Sequence, residues 1–372
     1  MARATILTEK RFIQIHWSED ESALFPFIWL RDNDPAGFHV QTLERHFDIA
    51  SVDVADTIDL AEISEQTLKL HWAQENFSAS YSLQWLRENK PGQQLNDPAG
   101  FPATLWRNEL QSQGPARSTA SSISQDDSAL LEWMRDTQTY GLSLVQGLDD
   151  RKDAGMDIAR LIGFLRETNF GVEFEVESKP NPNNLAYTSI ALPLHTDLTN
   201  QELPPGYQFL HCLANDAEGG ESVFCDGFAV AEDLRKIDPE AFNLLATVSI
   251  PFRFHDDEYD IRCRKTVINL DENQQVREIC FNTHLAGIFD LEPDLVEAYY
   301  LAYQAYKRLT QQPNYQVNLK LRGGEMVVFD NRRVLHGRNS FDPSTGYRHL
   351  QGCYVDRGEF DSRLRKLSPS AE

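Results

Sequence analysis

The residues best suited to chemistry in this chain are two histidines and an aspartate. His195-Thr196-Asp197 forms a His-x-Asp motif, and His336 follows far downstream. Two imidazoles and one carboxylate can hold Fe(II) on one face and leave three positions open for a co-substrate and dioxygen. In an extended segment, side chains at i and i+2 point to the same side, so His195 and Asp197 could reach one ion. His-x-Asp alone is a weak signal, and a surface or core histidine is the simpler interpretation of His195 in isolation.

Arg348 lies downstream of His336 and adds a third component to this pattern. A 2-oxo acid such as 2-oxoglutarate would chelate iron through one end, and its far carboxylate would then need a fixed cation. The planar guanidinium of arginine pairs with a carboxylate through two parallel hydrogen bonds. We therefore predict that Arg348 anchors 2-oxoglutarate, with a surface salt bridge as the alternative interpretation.

Two similar segments occupy the first part of the chain. His16-Trp17 is followed by Trp29-Leu30-Arg31-Asp32-Asn33, and His71-Trp72 by Trp85-Leu86-Arg87-Glu88-Asn89. Each copy predicts two short strands around a polar turn, followed by the Trp-Leu-Arg segment. We expect a small β-rich domain over residues 1–95. The Gly-, Pro- and Ser-rich residues 96–127 are typical of a linker, part of which packs on a neighbouring surface through Trp106.

The remaining residues, 128–372, predict mostly strands with a few flanking helices. We expect helices over Leu130–Thr137, Asp157–Glu167 and Pro293–Gln311, and strands over Tyr140–Val145, Tyr207–Cys212, Glu221–Phe224 and Glu325–Phe329. This mixture favours a jelly-roll-like barrel. The third helix carries tyrosines at helical spacing, for which core packing is the expected role (Tyr299, Tyr300, Tyr303 and Tyr306).

Composition excludes several classes of function. The chain of 372 residues has 35 basic and 57 acidic residues, a net charge of −22, which argues against binding nucleic acid or an anionic membrane surface. The five cysteines form no CxxC pair, so neither a disulfide framework nor a zinc knuckle is expected. Because the sequence has neither a signal-peptide pattern nor an apolar run of about 18 residues, we expect a soluble cytoplasmic protein.

Several longer motifs surround these residues and carry a family resemblance. They are Asn184–Thr188, Leu192–Leu198, Pro205–Cys212, Gly219–Ser222 with Asp226–Phe228, Phe329–Arg338, Arg348–Tyr354 and, near the N-terminus, Trp29–Asn33. Together they cover nearly the whole chain. The sequence resembles the γ-butyrobetaine hydroxylase branch of the 2-oxoglutarate-dependent dioxygenases, which also contains trimethyllysine hydroxylase.

The resemblance implies a double-stranded β-helix (jelly-roll) catalytic domain beside the small N-terminal domain. It implies that the protein binds a small trimethylammonium substrate and O2, and neither nucleic acid nor a membrane. It implies iron on His195, Asp197 and His336, and 2-oxoglutarate on Arg348, Leu210 and Ser222. The implied reaction is hydroxylation of γ-butyrobetaine to L-carnitine with O2, releasing succinate and CO2, with ascorbate stimulatory and a homodimer as the assembly. The implied substrate contacts are an aromatic cage for the trimethylammonium group (Phe170, Phe174, Tyr187 and Tyr354) and amides for the carboxylate (Asn184 and Asn282).

One segment departs from the family pattern. Its N-terminal domain commonly carries a zinc ion on cysteines after the Trp-Leu-Arg-Asp-Asn motif, but residues 34–39 here contain no cysteine. We therefore expect no zinc, and a core around Trp17, Trp29, Trp72 and Trp85. Such a domain could contribute a dimer contact or a wall of the active site.

Other functions remain open from the sequence. The substrate could be trimethylaminoethylphosphonate or trimethyllysine, although His284 is the only extra basic group beside Asn282 that could meet a phosphonate dianion. A taurine-type hydroxylase would leave the aromatic cage unexplained. A non-catalytic betaine-binding jelly roll is disfavoured because His195, Asp197, His336 and Arg348 are all present.

Overall fold

The computed structural model describes residues 2–94, 96–178 and 187–368. The chain folds into two compact units, Met1–Asp97 and Pro98–Glu372. None of the helices within the described ranges is long and apolar enough to cross a bilayer.

The first unit contains two three-stranded antiparallel sheets, each followed by a short helix. The first sheet and its helix are β1 (Arg3–Leu7), β2 (Phe12–His16), β3 (Ser22–Pro26) and α1 (Phe27–Asp32). The second set is β4 (Ile58–Ser64), β5 (Thr67–Trp72), β6 (Phe77–Ser82) and α2 (Leu83–Glu88). The predicted repeat is confirmed, since β2–β3–α1 and β5–β6–α2 have the same order, and the Trp-Leu-Arg segments are the helices.

The tryptophans named from the sequence lie at the core of this unit. Trp72 is buried, and Trp17, Trp29 and Trp85 pack against the buried cluster. The Trp29 and Trp85 rings, one from each repeat, lie 5.7 Å apart. The hydroxyl of Tyr81 donates a 2.6 Å hydrogen bond to the carbonyl of Leu30, which joins the second repeat to the first helix.

The second unit is built on two sheets. The strands of this unit in chain order are β7 (Ala116–Thr119), β8 (Leu142–Gln146), β9 (Glu173–Val176), β10 (Leu192–His195), β11 (Tyr207–Asn215), β12 (Glu218–Gly219), β13 (Ser222–Asp226), β14 (Ile250–His255), β15 (Asp260–Lys265), β16 (Ile268–Leu270), β17 (Val276–Ile279), β18 (Val317–Leu319), β19 (Glu325–Asp330), β20 (Val334–Arg338), β21 (Phe341–Asp342) and β22 (Arg348–Val355). The larger sheet has the order β7-β8-β19-β11-β22-β9, and the smaller has the order β10-β20-β13-β18. All neighbours are antiparallel except β7 and β8.

The inner faces of both sheets share one apolar core. Leu144, Leu210 and Val327 from the larger sheet belong to the same buried cluster as Phe224 and Val334 from the smaller one. Two antiparallel sheets packed in this way form the jelly roll that the strand pattern predicted.

Helices cover the outside of the sheets. They are α3 (Glu109–Gln113), α4 (Ala120–Gln125), α5 (Asp127–Tyr140), α6 (Ala154–Arg160), α7 (Gly227–Ile237), α8 (Pro239–Thr247), α9 (Pro293–Thr310) and α10 (Arg357–Leu367). On α9, Tyr299, Tyr303 and Tyr306 are buried, whereas Tyr300 is 45% exposed. Core packing is therefore confirmed for three of the four tyrosines. A step of one residue turns Tyr300 about 100° away from Tyr299, toward the surface.

The prediction that residues 96–127 form a linker is wrong. This segment contains α3 and α4, and β7 extends the larger sheet by pairing with β8. Trp106 is 2% exposed, and its indole N–H donates a 2.6 Å hydrogen bond to the Tyr140 carbonyl. The composition of this segment indicated a linker because the residues that stabilise it are distant in sequence, and local composition does not show them.

Two element boundaries also differ from the prediction. The helix expected over Asp157–Glu167 is α6, which ends at Arg160. Beyond it, residues 161–163 form turns and a bend, and Leu165 then forms an isolated bridge with Val355. The backbone N–H of Arg166 donates a 2.9 Å hydrogen bond to the Tyr354 carbonyl. Tyr140, expected to begin a strand, ends α5, and Gly141 caps that helix with φ = 70°.

Candidate metal centre and active-site cavity

The two candidate histidines face each other across neighbouring strands. His195 on β10 is the register partner of His336 on β20, and their rings lie 4.4 Å apart. The Nε2 atoms of His195 and His336 are 3.1 and 3.6 Å from Oδ1 of Asp197. Within the described ranges, these are the only three His, Cys, Asp or Glu side chains grouped closely enough to hold a metal ion.

The backbone conformation that positions Asp197 differs from the expected strand. Strand β10 ends at His195, so Asp197 lies in the following turn, where Leu198 has φ = 55°. The buried side chain of Asn331 holds the turn: its Oδ1 accepts from the Asp197 N–H at 2.7 Å, and its Nδ2 donates to the Asp197 carbonyl at 3.1 Å. The turn, rather than the pleat of a strand, directs this carboxylate.

The surroundings favour the protonation states that metal ligands require. Burial lowers the pKa of His336 to about 3, which keeps its imidazole neutral. Burial by itself would raise the pKa of Asp197, but His336, His195 and the hydroxyl of Tyr354 together hold that pKa below its ordinary range. Nδ1 of His195 lies 2.8 Å from the Pro193 carbonyl, which accepts a hydrogen bond from it, and Nε2 is directed at the centre. The neutral imidazole of His336 beside the anionic carboxylate of Asp197 fits a divalent cation.

The carboxylate of Asp197 has a second partner. The hydroxyl of Tyr354 donates a 2.7 Å hydrogen bond to its Oδ2. Burial and the charge of Asp197 raise the pKa of Tyr354 well above its ordinary value, so this hydroxyl remains a donor.

The three candidate ligands lie at the wall of a cavity of about 380 Å³. The four expected cage aromatics all line this cavity: Phe170, Phe174, Tyr187 and Tyr354. The Phe174 and Tyr354 rings are 5.1 Å apart, and Phe170 contacts Phe254, a lining aromatic that the sequence argument missed. Gly352 makes this wall possible, because a Cβ there would lie 2.3 Å from the Phe174 ring.

Two buried arginines line another part of the cavity. Arg348, predicted from the sequence, is joined by Arg338, which was not. Burial lowers the pKa of both to about 10, and the charge of Arg338 contributes to the lowering at Arg348. Arg338 donates to the carbonyls of Thr188 and Ile190 at 2.6 and 2.9 Å.

Among the described residues, Arg348 donates one hydrogen bond, from Nε to the Gly220 carbonyl at 3.3 Å. Among the residues that the structure describes, no carboxylate forms an ion pair with Arg348. Leu210 and Ser222, the other expected 2-oxoglutarate contacts, line the same cavity. Arg338 could have been found from the sequence, since it follows His336 by two residues and therefore shares a strand face with it.

Asn282 also lines the cavity, and its amide orientation is defined by hydrogen bonds. Its Nδ2 donates to the Thr196 carbonyl at 3.1 Å, and its Oδ1 accepts from the N–H groups of His284 and Leu285 at 2.9 and 3.1 Å. One N–H of the amide is left for another acceptor. Asn184, the other expected amide, lies outside the described residues.

Four further polar side chains line the cavity: Gln208, Arg253, His255 and His284, of which the sequence argument considered only His284. Burial and the proximity of His195 lower the pKa of His284. Oδ1 and Oδ2 of Asp260 accept from Arg253 at 2.8 and 2.9 Å, so the charge of that arginine is paired. Asp197 is the single acidic side chain among the described lining residues.

Comparison with known proteins agrees with this architecture. Residues 107–354 match the family of taurine catabolism dioxygenases, TauD and TfdA, and residues 5–87 match the N-terminal domain of γ-butyrobetaine hydroxylase-like proteins. The chain therefore belongs to the TauD/TfdA dioxygenase family. A crystal structure of AAD-2 in complex with Mn(II) and N-oxalylglycine has the same fold, with a TM-score of 0.51, 13% identity, and coverage of 65% of this chain and 96% of that one.

Within the family, the similarity extends to particular curated enzymes. The chain is 38% identical to the γ-butyrobetaine dioxygenase of Pseudomonas sp. (strain AK-1), over 95% of this chain and 93% of that protein. It is 31% identical to the mitochondrial trimethyllysine dioxygenase of Gallus gallus, over 93% and 84% of the two chains. The resemblance inferred from the motifs is confirmed.

Proposed function

We propose that this protein is an Fe(II)- and 2-oxoglutarate-dependent hydroxylase of a small trimethylammonium acid, with γ-butyrobetaine as its substrate. The main support for this proposal is that three candidate ligand atoms lie close together at the wall of one cavity: Nε2 of His195, Nε2 of His336 and Oδ1 of Asp197. Aromatic rings and buried arginines line the same cavity. The identity to the Pseudomonas γ-butyrobetaine dioxygenase supports this choice of substrate.

In this proposal, His195, Asp197 and His336 hold the iron. Bound iron supplies the oxygen chemistry: O2 and 2-oxoglutarate are consumed, succinate and CO2 are released, and one oxygen atom enters a C–H bond of the substrate. The residues of the chain bind and orient both organic molecules and exclude bulk water. Ascorbate would serve as an accessory reductant.

Arg348 binds the far carboxylate of 2-oxoglutarate in this proposal, with Leu210 and Ser222 beside it. Its support is a buried cation that lacks an ion-pair partner among the described residues, in a cavity that also reaches the metal centre. Arg338 increases the positive potential at the same place, because the charges of the two arginines interact. A dianionic co-substrate would offset the free-energy penalty of burying these charges.

The trimethylammonium group binds against Phe170, Phe174, Tyr187 and Tyr354. A quaternary ammonium ion cannot donate a conventional hydrogen bond, so aromatic faces are suited to hold it. Asp197 is the lone carboxylate of the described cavity lining, and it belongs to the proposed metal site, so no other described acidic side chain there would compete for the cation.

The substrate carboxylate binds at Asn282 and, by the family resemblance, at Asn184. The remaining N–H of the Asn282 amide is the donor that supports this assignment. His284 lies two residues away and lines the same cavity, so it is available as a further hydrogen-bonding group near the acid.

Trimethyllysine is the second candidate, because a trimethyllysine dioxygenase is 31% identical to this chain. Its α-ammonium group would require an acceptor at the acid end. The described lining offers no carboxylate there besides Asp197, which favours a substrate that ends in a carboxylate alone. The phosphonate analogue would place two negative charges where the described residues provide an amide and a histidine.

The deciding experiment measures succinate formation with Fe(II), ascorbate, 2-oxoglutarate and one amine at a time: γ-butyrobetaine, trimethylaminoethylphosphonate or trimethyllysine. Succinate release coupled to carnitine formation with γ-butyrobetaine supports the proposal. Preference for another amine leaves the metal chemistry standing and rejects the substrate. Amine binding without succinate from any of them would identify a non-catalytic binding protein.

We also propose a homodimer in the cytoplasm, on the family resemblance alone. Light scattering coupled to size-exclusion chromatography would measure the mass in solution, and a mass near 42.5 kDa, that of one chain, would reject the dimer.

A further inference from the structure

The two oxygens of the Asp197 carboxylate face different partners. Oδ1 is the atom that lies 3.1 Å from Nε2 of His195 and 3.6 Å from Nε2 of His336. Oδ2 accepts the 2.7 Å hydrogen bond from the hydroxyl of Tyr354. One oxygen therefore points at the centre of the triad, and the other is engaged outside it.

The position of the Tyr354 hydroxyl is determined by the sheet. Tyr354 belongs to β22, is 4% exposed, and is the register partner of Gln208 on β11. On the other side, its carbonyl accepts from the N–H of Arg166 at 2.9 Å. Its ring packs 5.1 Å from that of Phe174, so neither backbone nor ring can shift easily.

We propose that Tyr354 is a positioning residue of the metal centre, whose hydroxyl holds Oδ2 of Asp197 away from the ion and keeps the carboxylate a single-oxygen ligand. This inference rests on the proposed assignment of iron to His195, Asp197 and His336. A carboxylate that bound through both oxygens would occupy one of the three open positions that the co-substrate and dioxygen need. Hydrogen bonds to the free oxygen of a ligating carboxylate are a general means of orienting it.

The backbone of Asp197 has a separate support. Asn331 binds its N–H and its carbonyl, at 2.7 and 3.1 Å, so the turn is held independently of the tyrosine. Loss of the Tyr354 hydroxyl should therefore release the rotation of the carboxylate while leaving the turn in place.

The same tyrosine ring lines the cavity proposed for the trimethylammonium group. A cation over the ring face withdraws electron density from it, which makes the hydroxyl a stronger donor to Oδ2. Occupation of the cavity and the geometry of the metal ligand are therefore coupled through one side chain, and such coupling acts equally in both directions.

The test is Tyr354→Phe, which keeps the ring and removes the hydroxyl, with Co(II) as the probe in the absence of turnover. Calorimetric titration should show Co(II) binding weakened by about 10- to 100-fold, the usual effect of losing a partner of a metal ligand. The visible absorption of bound Co(II), which reports its ligand geometry, should change in the variant, because the released Oδ2 would take one of the open positions. Addition of γ-butyrobetaine should tighten Co(II) binding in the unaltered protein and less so in the variant.

Two controls separate the possible failures. Tyr303→Phe removes another buried hydroxyl, for which the described structure shows no hydrogen-bond partner, and should bind Co(II) as the unaltered protein does. Asp197→Ala should abolish tight binding. Unchanged affinity or an unchanged Co(II) spectrum in Tyr354→Phe, with binding lost in Asp197→Ala, would overturn the positioning role and leave the metal centre intact. Unchanged binding in Asp197→Ala would instead reject the proposed metal centre.

Discussion

Replacement of Arg348 by methionine should weaken 2-oxoglutarate binding and, at the same time, stabilise the protein without its ligands. Arg348 is 5% exposed, and its guanidinium has no ion-pair partner among the described residues. Burial lowers its pKa to about 10, which corresponds to a free-energy penalty of about 3 kcal/mol on the charged form. At pH 7 the arginine is charged in both the folded and the unfolded chain, so the folded state carries this penalty.

The expected magnitudes follow from the removal of that charge. Methionine has a similar length and no charge, so the free energy of unfolding of the ligand-free protein should rise by up to about 3 kcal/mol, less what is lost with the hydrogen bond to the Gly220 carbonyl. The affinity for 2-oxoglutarate should fall by at least about 30-fold, since removing one partner of a buried charge pair costs about 2–5 kcal/mol.

The assay is thermal unfolding with and without Mn(II) plus 2-oxoglutarate, together with calorimetric titration of the co-substrate. The unfolding temperature of the unaltered protein should rise when both ligands are added. Arg348→Met should have a higher unfolding temperature without ligands and a smaller rise with 2-oxoglutarate. Arg357→Met is the matched control, because that arginine binds both oxygens of Asp330 at 3.0 and 2.7 Å. Breaking this pair should destabilise the fold by about 3–5 kcal/mol. Unchanged 2-oxoglutarate affinity in Arg348→Met, or a loss of stability like that of Arg357→Met, would refute the reasoning.

Four further predictions concern the centre, the cavity and the core. Asp197→Ala should abolish succinate release because a metal ligand is lost, and normal release would contradict that role. Tyr187→Ala should weaken γ-butyrobetaine binding by about 1–2 kcal/mol in a calorimetric titration; equal binding of the neutral carbon isostere to the unaltered protein would count against a cation cage. Asn282→Asp should weaken the same substrate at least about tenfold at neutral pH, because a carboxylate would then face a carboxylate; undiminished affinity would place the acid group elsewhere. Arg333→Met should lower the free energy of unfolding in urea by about 3–5 kcal/mol, since this arginine is buried against Asp226 at 3.1 and 2.8 Å, and an unchanged midpoint would refute the estimate.

The N-terminal repeat and the catalytic strands could be predicted because their signals are local. Alternation of apolar and polar residues identifies a half-buried strand within a few positions, as it does for β5. The linker prediction for residues 96–127 was wrong because the structure of that segment depends on residues that are distant in sequence. Strand β7 is stabilised by its pairing with β8, and that pairing depends on a partner that composition does not reveal.

Within the candidate site, the sequence could identify residue types but not their orientations. His195, Asp197 and His336 were found because their types and motif context match a facial triad. The turn that directs Asp197 depends on Asn331, which is distant in sequence and adjacent in space. The orientation of Asn282 likewise follows from its hydrogen bonds to residues of two separate segments.

The sequence by itself determined the family, the candidate metal-ligating residues and several of the strands, since these are carried by short motifs and local periodicity. Only the tertiary structure decided that Arg338 joins Arg348 in the cavity, that Asp260 neutralises Arg253, and that the Tyr354 hydroxyl meets Oδ2 of Asp197. The physical reason is that burial and hydrogen-bond direction depend on atoms brought together from different strands, and no local pattern in the chain encodes that distance.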